Sequence, residues 1–145
     1  MLESFYIYTY TNDIMASIFS KIVNGEIPCY KVAETEDFLA FLDVNPNVEG
    51  HTLCIPKREV DKIFDLDEDT YMRLMRFSRR VALAIEKVVP CKRIGVTVIG
   101  LEVPHVHVHL IPLNSMEDAR FLQKTEMTHD QFTGLAKTIR AKFDQ

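Results

Sequence analysis

The sequence predicts an α+β domain in which five antiparallel strands form one sheet and helices pack against it. Two observations favour this fold class. Several short segments rich in β-branched and aromatic residues are separated by turn residues, and two longer segments repeat apolar residues at helical spacing. At 145 residues the chain has the length of one domain with a substantial buried core.

The start of the chain is interpreted separately. Residues 1–14 lack the basic region and the small-residue cleavage site of a signal peptide. Met15-Ala-Ser-Ile-Phe resembles the natural N-terminus of a protein. The preceding residues are therefore interpreted as an N-terminal extension, non-native or disordered, and the alternative is an added edge strand. Residues 15–145 are assigned to a single domain.

Three helices are predicted from capping residues and helical spacing. Ser17 is a typical N-cap residue and Asn24-Gly25 favours a helix end, so a short helix is predicted between them. Asp65 to Glu68 resembles a capping box that opens a long amphipathic helix, which we expect to end near Pro90. A second capping box, Thr128 to Gln131, predicts a C-terminal helix.

Five strands are predicted from apolar alternation and β-branched residues between turn signals. They are expected at Cys29 to Ala33, Phe38 to Asp43, His51 to Pro56, Ile94 to Ile99 and Pro104 to Pro112. The polar turn between the first two strands predicts a hairpin.

The last of these strands carries three histidines that alternate with apolar residues. The period of two in a strand places His105, His107 and His109 on one face and Val106 and Val108 on the other. Residues two apart on a strand lie roughly 6.5–7 Å from each other. One phosphate-sized group lying across the row would therefore meet the central ring and hydrogen-bond to a neighbouring one.

Three interpretations of this row compete. The histidines are hydrogen-bonded core residues, or they bind zinc or copper, or the central imidazole is a nucleophile. No Cys-x-x-Cys or His-Glu-x-x-His pattern accompanies the row, which weakens the metal interpretation. A neutral imidazole is nucleophilic near pH 7 and its phosphorylated form is labile to water, so we favour the nucleophile, with no metal or other cofactor.

The segment His105 to Ile111 resembles the histidine triad motif, HxHxHxx with apolar x, of the HIT family of nucleotide-binding proteins and hydrolases. Ser17 to Pro28, Phe38 to Pro46 and Gly50 to Lys57 resemble the family's other motifs in the same order. The resemblance implies a HIT-like fold with a five-stranded antiparallel sheet, a long central helix and a C-terminal helix. It also implies a homodimer.

The resemblance further implies an activity. A nucleotide-binding hydrolase or transferase of this type would act at the α-phosphate of a purine nucleotide derivative through a nucleotidyl-histidine intermediate. A phosphoramidate, an acyl-adenylate and a dinucleoside polyphosphate all present the same phosphorus to the nucleophile, so the leaving group stays open.

The resemblance also assigns roles to individual residues. His107 is expected to attack through Nε2 while an acceptor, such as a backbone carbonyl, holds its Nδ1 proton. His109 is expected to bond a non-bridging phosphate oxygen, His105 to fix the row or the leaving group, and His51 to orient a triad ring. The residues expected to bind the base and the sugar are Ile18, Phe19, Ile22, Phe41, Asp43 and Val44.

Asp43 has two interpretations. As a carboxylate that follows an apolar run and precedes Asn45-Pro46, it is typical of a residue that caps a turn. By resemblance, it accepts hydrogen bonds from the ribose hydroxyls, a role that suits an ionised acceptor.

The chain departs from the family pattern at several positions. Ser17 and Ser20 stand where many members have cysteines of a structural zinc site, and serine is a poor zinc ligand, so no zinc is expected. Leu101 and Glu102 stand where many members have residues that contact the phosphate and the leaving group. A nucleotide-binding or interaction protein with weak or vestigial catalysis is therefore the alternative function. Ser115 to Met127 is a polar connector to which the sequence assigns no role.

Composition narrows the partners and the compartment. A net charge of −4 predicts no broad basic surface, which argues against binding of nucleic acid polymers. Cys29, Cys54 and Cys91 show no redox or zinc spacing, which fits a reducing cytoplasm. No apolar run approaches the ~20 residues that cross a bilayer, so no membrane partner is expected.

Overall fold

The fold is built around a five-stranded antiparallel sheet, as predicted. The computed structural model describes residues 9–11 and 14–144. The strands of the sheet, in spatial order, are β3 (Lys31–Glu34), β4 (Phe38–Leu42), β5 (Thr52–Pro56), β7 (Val108–Leu113) and β6 (Arg93–Thr97). The helices are α1 (Ile18–Val23), α2 (Glu68–Glu86) and α3 (His129–Lys142). Within the described ranges, no helix combines the length and the apolar character that a bilayer crossing requires.

A separate two-stranded ribbon precedes the domain. It pairs β1 (Thr9–Thr11) with β2 (Ile14–Ala16), and among the described residues these two strands form a sheet of their own. The predicted boundary at residue 15 lies inside this ribbon. The remaining residues of the N-terminal segment, 1–8, 12 and 13, lie outside the described residues.

The predicted helices are confirmed, with shifted ends. α1 starts after Ser17, whose side chain accepts from the Ser20 N–H, and Gly25 follows its end with a φ of 78°. The ends of α2 differ from the prediction: its N-cap residue is Asp67 instead of Asp65, and the helix ends at Glu86. The capping box of α3 at Thr128 is formed as predicted.

The histidine strand is shorter than predicted. It begins at Val108 instead of Pro104, because the preceding residues make other backbone hydrogen bonds. The His105 N–H donates to the Val103 carbonyl over 2.9 Å, and the Val106 N–H donates to the Val60 carbonyl over 2.8 Å. His105 and His107 therefore lie in an irregular segment, and only His109 belongs to a strand.

The two faces of the sheet carry different partners. One face packs against α2 and α3 and includes Val108 and Leu110, with Val106 in the same cluster. The other face packs against α1 and includes Phe41 and Leu53. Leu53 is the direct neighbour of His109 on the adjacent strand, so the histidines belong to the α1 face. The predicted separation of valines from histidines is thus kept despite the irregular backbone.

The packing of α2 on the sheet generates a stability prediction. Leu74 on α2 is fully buried, whereas Met72 on the same helix is 58% exposed. Leu74→Ala is expected to lower the free energy of unfolding by about 2–5 kcal/mol, because it removes buried methyl groups and leaves a cavity. Met72→Ala should change it by less than about 0.5 kcal/mol. Urea unfolding followed by circular dichroism measures both, and equal losses would contradict this packing.

Candidate active site

Four histidines and one phenylalanine form the centre of the site. The rings of His107 and His109 have centroids 4.9 Å apart, and the His51 ring lies 5.2 Å from that of His109. Phe19 on α1 meets His107 at 5.0 Å and His105 at 5.9 Å, both edge to face. Each of the four histidines is at most 7% exposed. The structure thus brings together the four histidines that the sequence singled out.

The hydrogen bond of His107 fixes which of its nitrogens is free of a proton. Nδ1 lies 2.7 Å from the carbonyl oxygen of His105, and since a carbonyl only accepts, Nδ1 carries the proton. Burial lowers the pKa of His107, an effect that this hydrogen bond partly offsets. The neutral ring therefore has its lone pair on Nε2, the nitrogen expected to be the nucleophile.

A second chain of hydrogen bonds fixes the tautomer of His109. The backbone N–H of Asn47 donates to His51 Nδ1 over 3.0 Å, so the proton of a neutral His51 is on Nε2. That proton is donated to His109 Nδ1 over 2.9 Å, which leaves the proton of His109 on its own Nε2. Burial, with smaller effects of His107 and Lys124, lowers the pKa of His109 to about 3. Burial also holds the pKa of His51 well below its ordinary value.

His105 is held from both sides of its ring. Nε2 donates to the Pro56 carbonyl over 2.7 Å, and Nδ1 accepts from the Ser17 hydroxyl over 2.8 Å. Glu59 accepts from the Ser17 backbone N–H and the Ser20 hydroxyl at 2.6 and 2.7 Å. The His105 ring is fully buried, and its two hydrogen bonds connect Pro56 and Ser17 to the residue whose carbonyl accepts from His107.

The six residues expected to bind the base and sugar line a single narrow cleft next to the histidines. Its interior volume is about 30 Å³, and α1 forms one wall. The lining residues are Ile18, Phe19, Ile22, Pro28, Cys29, Phe41, Leu42, Asp43, Val44 and Leu53. The cleft is apolar except at Asp43.

A wider pocket of about 380 Å³ continues from Asp43 to the histidines. Its lining residues are Asp43, Asn45, Ile99, Gly100, Leu101, Glu102, His107, His109, Arg120, Phe121 and Lys124. Asp43 is shared by the cleft and the polar pocket. It is 4% exposed, and its Oδ1 accepts from the Asn45 N–H over 2.8 Å, so the turn-capping interpretation is correct at this atom.

Several residues of the site were not recognised in the sequence. Arg120, Phe121 and Lys124 come from the connector to which no role was assigned, and Glu59 was not considered. The connector follows β7 directly, and its basic and aromatic residues were the available signal. Sequence spacing alone does not show that this segment turns back over the pocket.

Three of the buried side chains have the geometry to hold a metal ion. One ligand atom each of Asp43, His51 and His109 lies within 4.8 Å of the others. His51 Nε2 and His109 Nδ1 hydrogen-bond to each other over 2.9 Å, so a metal held by these two atoms would replace that hydrogen bond. The expectation of no metal cofactor stays a prediction.

Comparisons with known proteins agree on one family. A sequence model described as the HIT domain matches residues 24–116. The chain is 40% identical over 100 residues to adenosine 5'-monophosphoramidase hnt1 of Schizosaccharomyces pombe, covering 68% of this chain and 74% of that protein. It is 33% identical over 132 residues to adenosine 5'-monophosphoramidase HNT1 of Saccharomyces cerevisiae, covering 89% and 84%. The crystal structure of a Hit-like protein from Bartonella henselae matches with a TM-score of 0.75 and 29% identity, covering 92% and 99%.

The buried neutral histidines generate a prediction for stability against pH. Since the pKa of each is lowered in the folded protein, the unfolded chain takes up more protons below about pH 6.5. The free energy of unfolding should therefore fall with decreasing pH from 6.5 to 5, by up to about 1.4 kcal/mol per pH unit for each histidine. Above pH 7 this contribution is absent, because the histidines are neutral in both states.

Urea unfolding at pH 7.5, 6.5 and 5.5 measures the slope. His109→Gln should reduce the slope, while Met72→Ala, an exposed substitution that removes no titratable group, should leave it unchanged. An unchanged slope in the His109 variant would contradict the buried neutral state of this ring.

Proposed function

The chain belongs to the histidine triad (HIT) family, and on this premise we propose that it is a hydrolase or transferase that acts at the α-phosphorus of a purine nucleotide derivative. The observation that carries the proposal is the state of His107. Its Nε2 has a lone pair, and its ring borders the polar pocket that meets the apolar cleft at Asp43. A nucleotide with its base in the cleft and its ribose at Asp43 would present its α-phosphate to this ring.

The reaction proceeds in two displacements. His107 Nε2 attacks the phosphorus and the bond to the leaving group breaks, giving a nucleotidyl-histidine; a leaving amine takes a proton from solvent. Water then attacks the same phosphorus, the bond from phosphorus to His107 breaks, and the water proton returns to solvent. The products of a phosphoramidate are an amine and a nucleoside monophosphate.

The neighbouring groups stabilise the charge that develops. As the His107 ring becomes positively charged, its hydrogen bond to the His105 carbonyl strengthens and favours the intermediate. Neutral His109 has its proton on Nε2, so this N–H can donate to a non-bridging phosphate oxygen. Both groups are positioned before substrate binds, so little reorganisation is needed during the reaction.

The substrate class follows from the cleft and from the relatives. Phe19 and Phe41 offer aromatic surface to a base, and their ring centroids are 5.6 Å apart. Because two relatives are named adenosine 5'-monophosphoramidases, we propose an adenosine phosphoramidate as the substrate for the first assay.

We also propose that the protein works as a homodimer in the cytoplasm. β6 lies at an edge of the sheet, and its Val96 is 55% exposed, which offers a surface to a second copy. The free Cys29, Cys54 and Cys91 fit a reducing compartment.

The central experiment replaces the nucleophile. In His107→Ala, AMP release from an adenosine 5'-phosphoramidate is expected to fall by at least about a thousandfold, because the covalent route is lost. Calorimetry should show that AMP still binds. His129→Ala is the matched control and should retain full turnover, since His129 contacts Tyr30 outside the two pockets.

Two results would change this conclusion. Turnover that survives in His107→Ala would exclude His107 as the nucleophile. If the wild type binds AMP but releases none, and rapid quenching traps no nucleotidyl-histidine, the alternative of a nucleotide-binding protein with vestigial catalysis is correct.

Asp43 generates a separate prediction about the sugar. Because a carboxylate accepts stronger hydrogen bonds from hydroxyls than an amide does, Asp43→Asn should weaken AMP binding by about tenfold and 2'-deoxy-AMP binding less. Competition titrations with the two nucleotides measure the preference for ribose. Equal loss for both nucleotides would mean that Asp43 acts through its turn and not through the sugar.

A further inference from the structure

The connector Ser115 to Met127 folds back over the polar pocket instead of leaving the site. Its 3-10 turn, Met116–Ala119, is joined to the loop before β5 by the Asn47 side-chain amide, which donates to the Asp118 carbonyl over 2.9 Å. Further along, the Thr125 N–H donates to the Pro46 carbonyl over 2.8 Å, and the Thr125 hydroxyl donates to the Asn47 carbonyl. The residues between these two anchors are thereby fixed beside the histidines.

Phe121 links this segment to the triad. Its ring packs edge to face on His109 at 5.0 Å and on His51 at 5.8 Å. Its φ of 60° lies in the left-handed region, which residues with a side chain seldom adopt. The contacts of the connector therefore hold a costly backbone conformation that directs an aromatic ring at the histidines.

Lys124 brings a positive charge to the same place. Its Nζ donates to the Asn47 Oδ1 over 2.7 Å and lies 4.9 Å from the centre of the Phe121 ring. This hydrogen-bond partner is a neutral amide, while the carboxylates of Asp43 and Glu102 raise the pKa of Lys124 against the larger, lowering effect of burial. The other basic residue of the pocket, Arg120, forms an ion pair with Glu117. The charge of Lys124 is felt by His109, where it contributes to the lowered pKa.

The site needs such a charge because its histidines supply none. His107 and His109 are neutral, so they offer a lone pair and an N–H but no net positive charge to an anion. The pocket also contains the carboxylates of Asp43 and Glu102, which repel a phosphate. A cation near the histidines would offset this repulsion.

We propose that Lys124 is a phosphate-binding residue of this chain, whose ammonium group pairs with a non-bridging oxygen of the nucleotide phosphate in the pocket of His107 and His109. The proposal rests on the proposed function, because it concerns the same nucleotide in the same pocket. Asn47 and Phe121 act as positioning residues, since they hold the ammonium group and the segment that carries it.

The test compares a ligand that has the phosphate with one that lacks it. In Lys124→Met, the Kd of AMP should rise by about tenfold, because one charge-assisted contact is lost, while the Kd of adenosine should not change. Lys124→Arg should retain most of the AMP affinity. Lys137→Met, on the exposed face of α3, is the matched control and should bind both ligands as the wild type does.

Each other outcome overturns the proposal in a recognisable way. Equal weakening of AMP and adenosine in Lys124→Met would show that Lys124 supports the fold of the connector and does not bind the phosphate. Unchanged AMP binding would show that it does not contact the nucleotide. A wild type that binds neither ligand would overturn the proposed function together with this inference. A wild type that binds both ligands but shows no turnover would overturn the proposed reaction alone, and the binding comparison would still decide this inference.

Discussion

The hydrogen bond from His107 Nδ1 to the His105 carbonyl determines what chemistry the site can perform. A backbone carbonyl does not titrate, so whenever His107 is neutral its proton stays on Nδ1. This hydrogen bond exists because the chain is irregular before Val108. In a regular strand the carbonyl of His105 would be directed to a neighbouring strand, and the ring would lose its acceptor. The shortened strand is thus a condition for the lone pair on Nε2.

Burial keeps the four histidines neutral, and hydrogen bonds to their ring nitrogens offset the free-energy cost of burying these polar groups. His51 and His109 lie 58 residues apart in the chain and are joined because β5 and β7 are neighbours. Six of the eight ring nitrogens of these four histidines have a hydrogen-bond partner, which leaves Nε2 of His107 and Nε2 of His109 for a ligand. The histidines supply no positive charge to a phosphate. In our proposal this charge comes from Lys124, in the connector that follows β7.

The sequence predicted the fold class, the five strands and the three helices, and it singled out the four histidines that the structure brings together. The fold was predictable because it depends on local patterns, such as the capping residue Ser17 and the helical spacing in α2. The irregular backbone at His105 was missed, since alternation alone does not distinguish a strand from an extended segment with other partners. Lys124 and Phe121 were missed because their position depends on long-range hydrogen bonds to Pro46 and Asn47.

Ser17 performs two tasks with one hydroxyl group. It accepts from the Ser20 N–H as the cap of α1, and it donates to the ring of His105. The same helix forms one wall of the cleft. One hydroxyl group therefore serves both the start of this wall and the placement of the His105 ring, so the loss of that hydroxyl would disturb both at once.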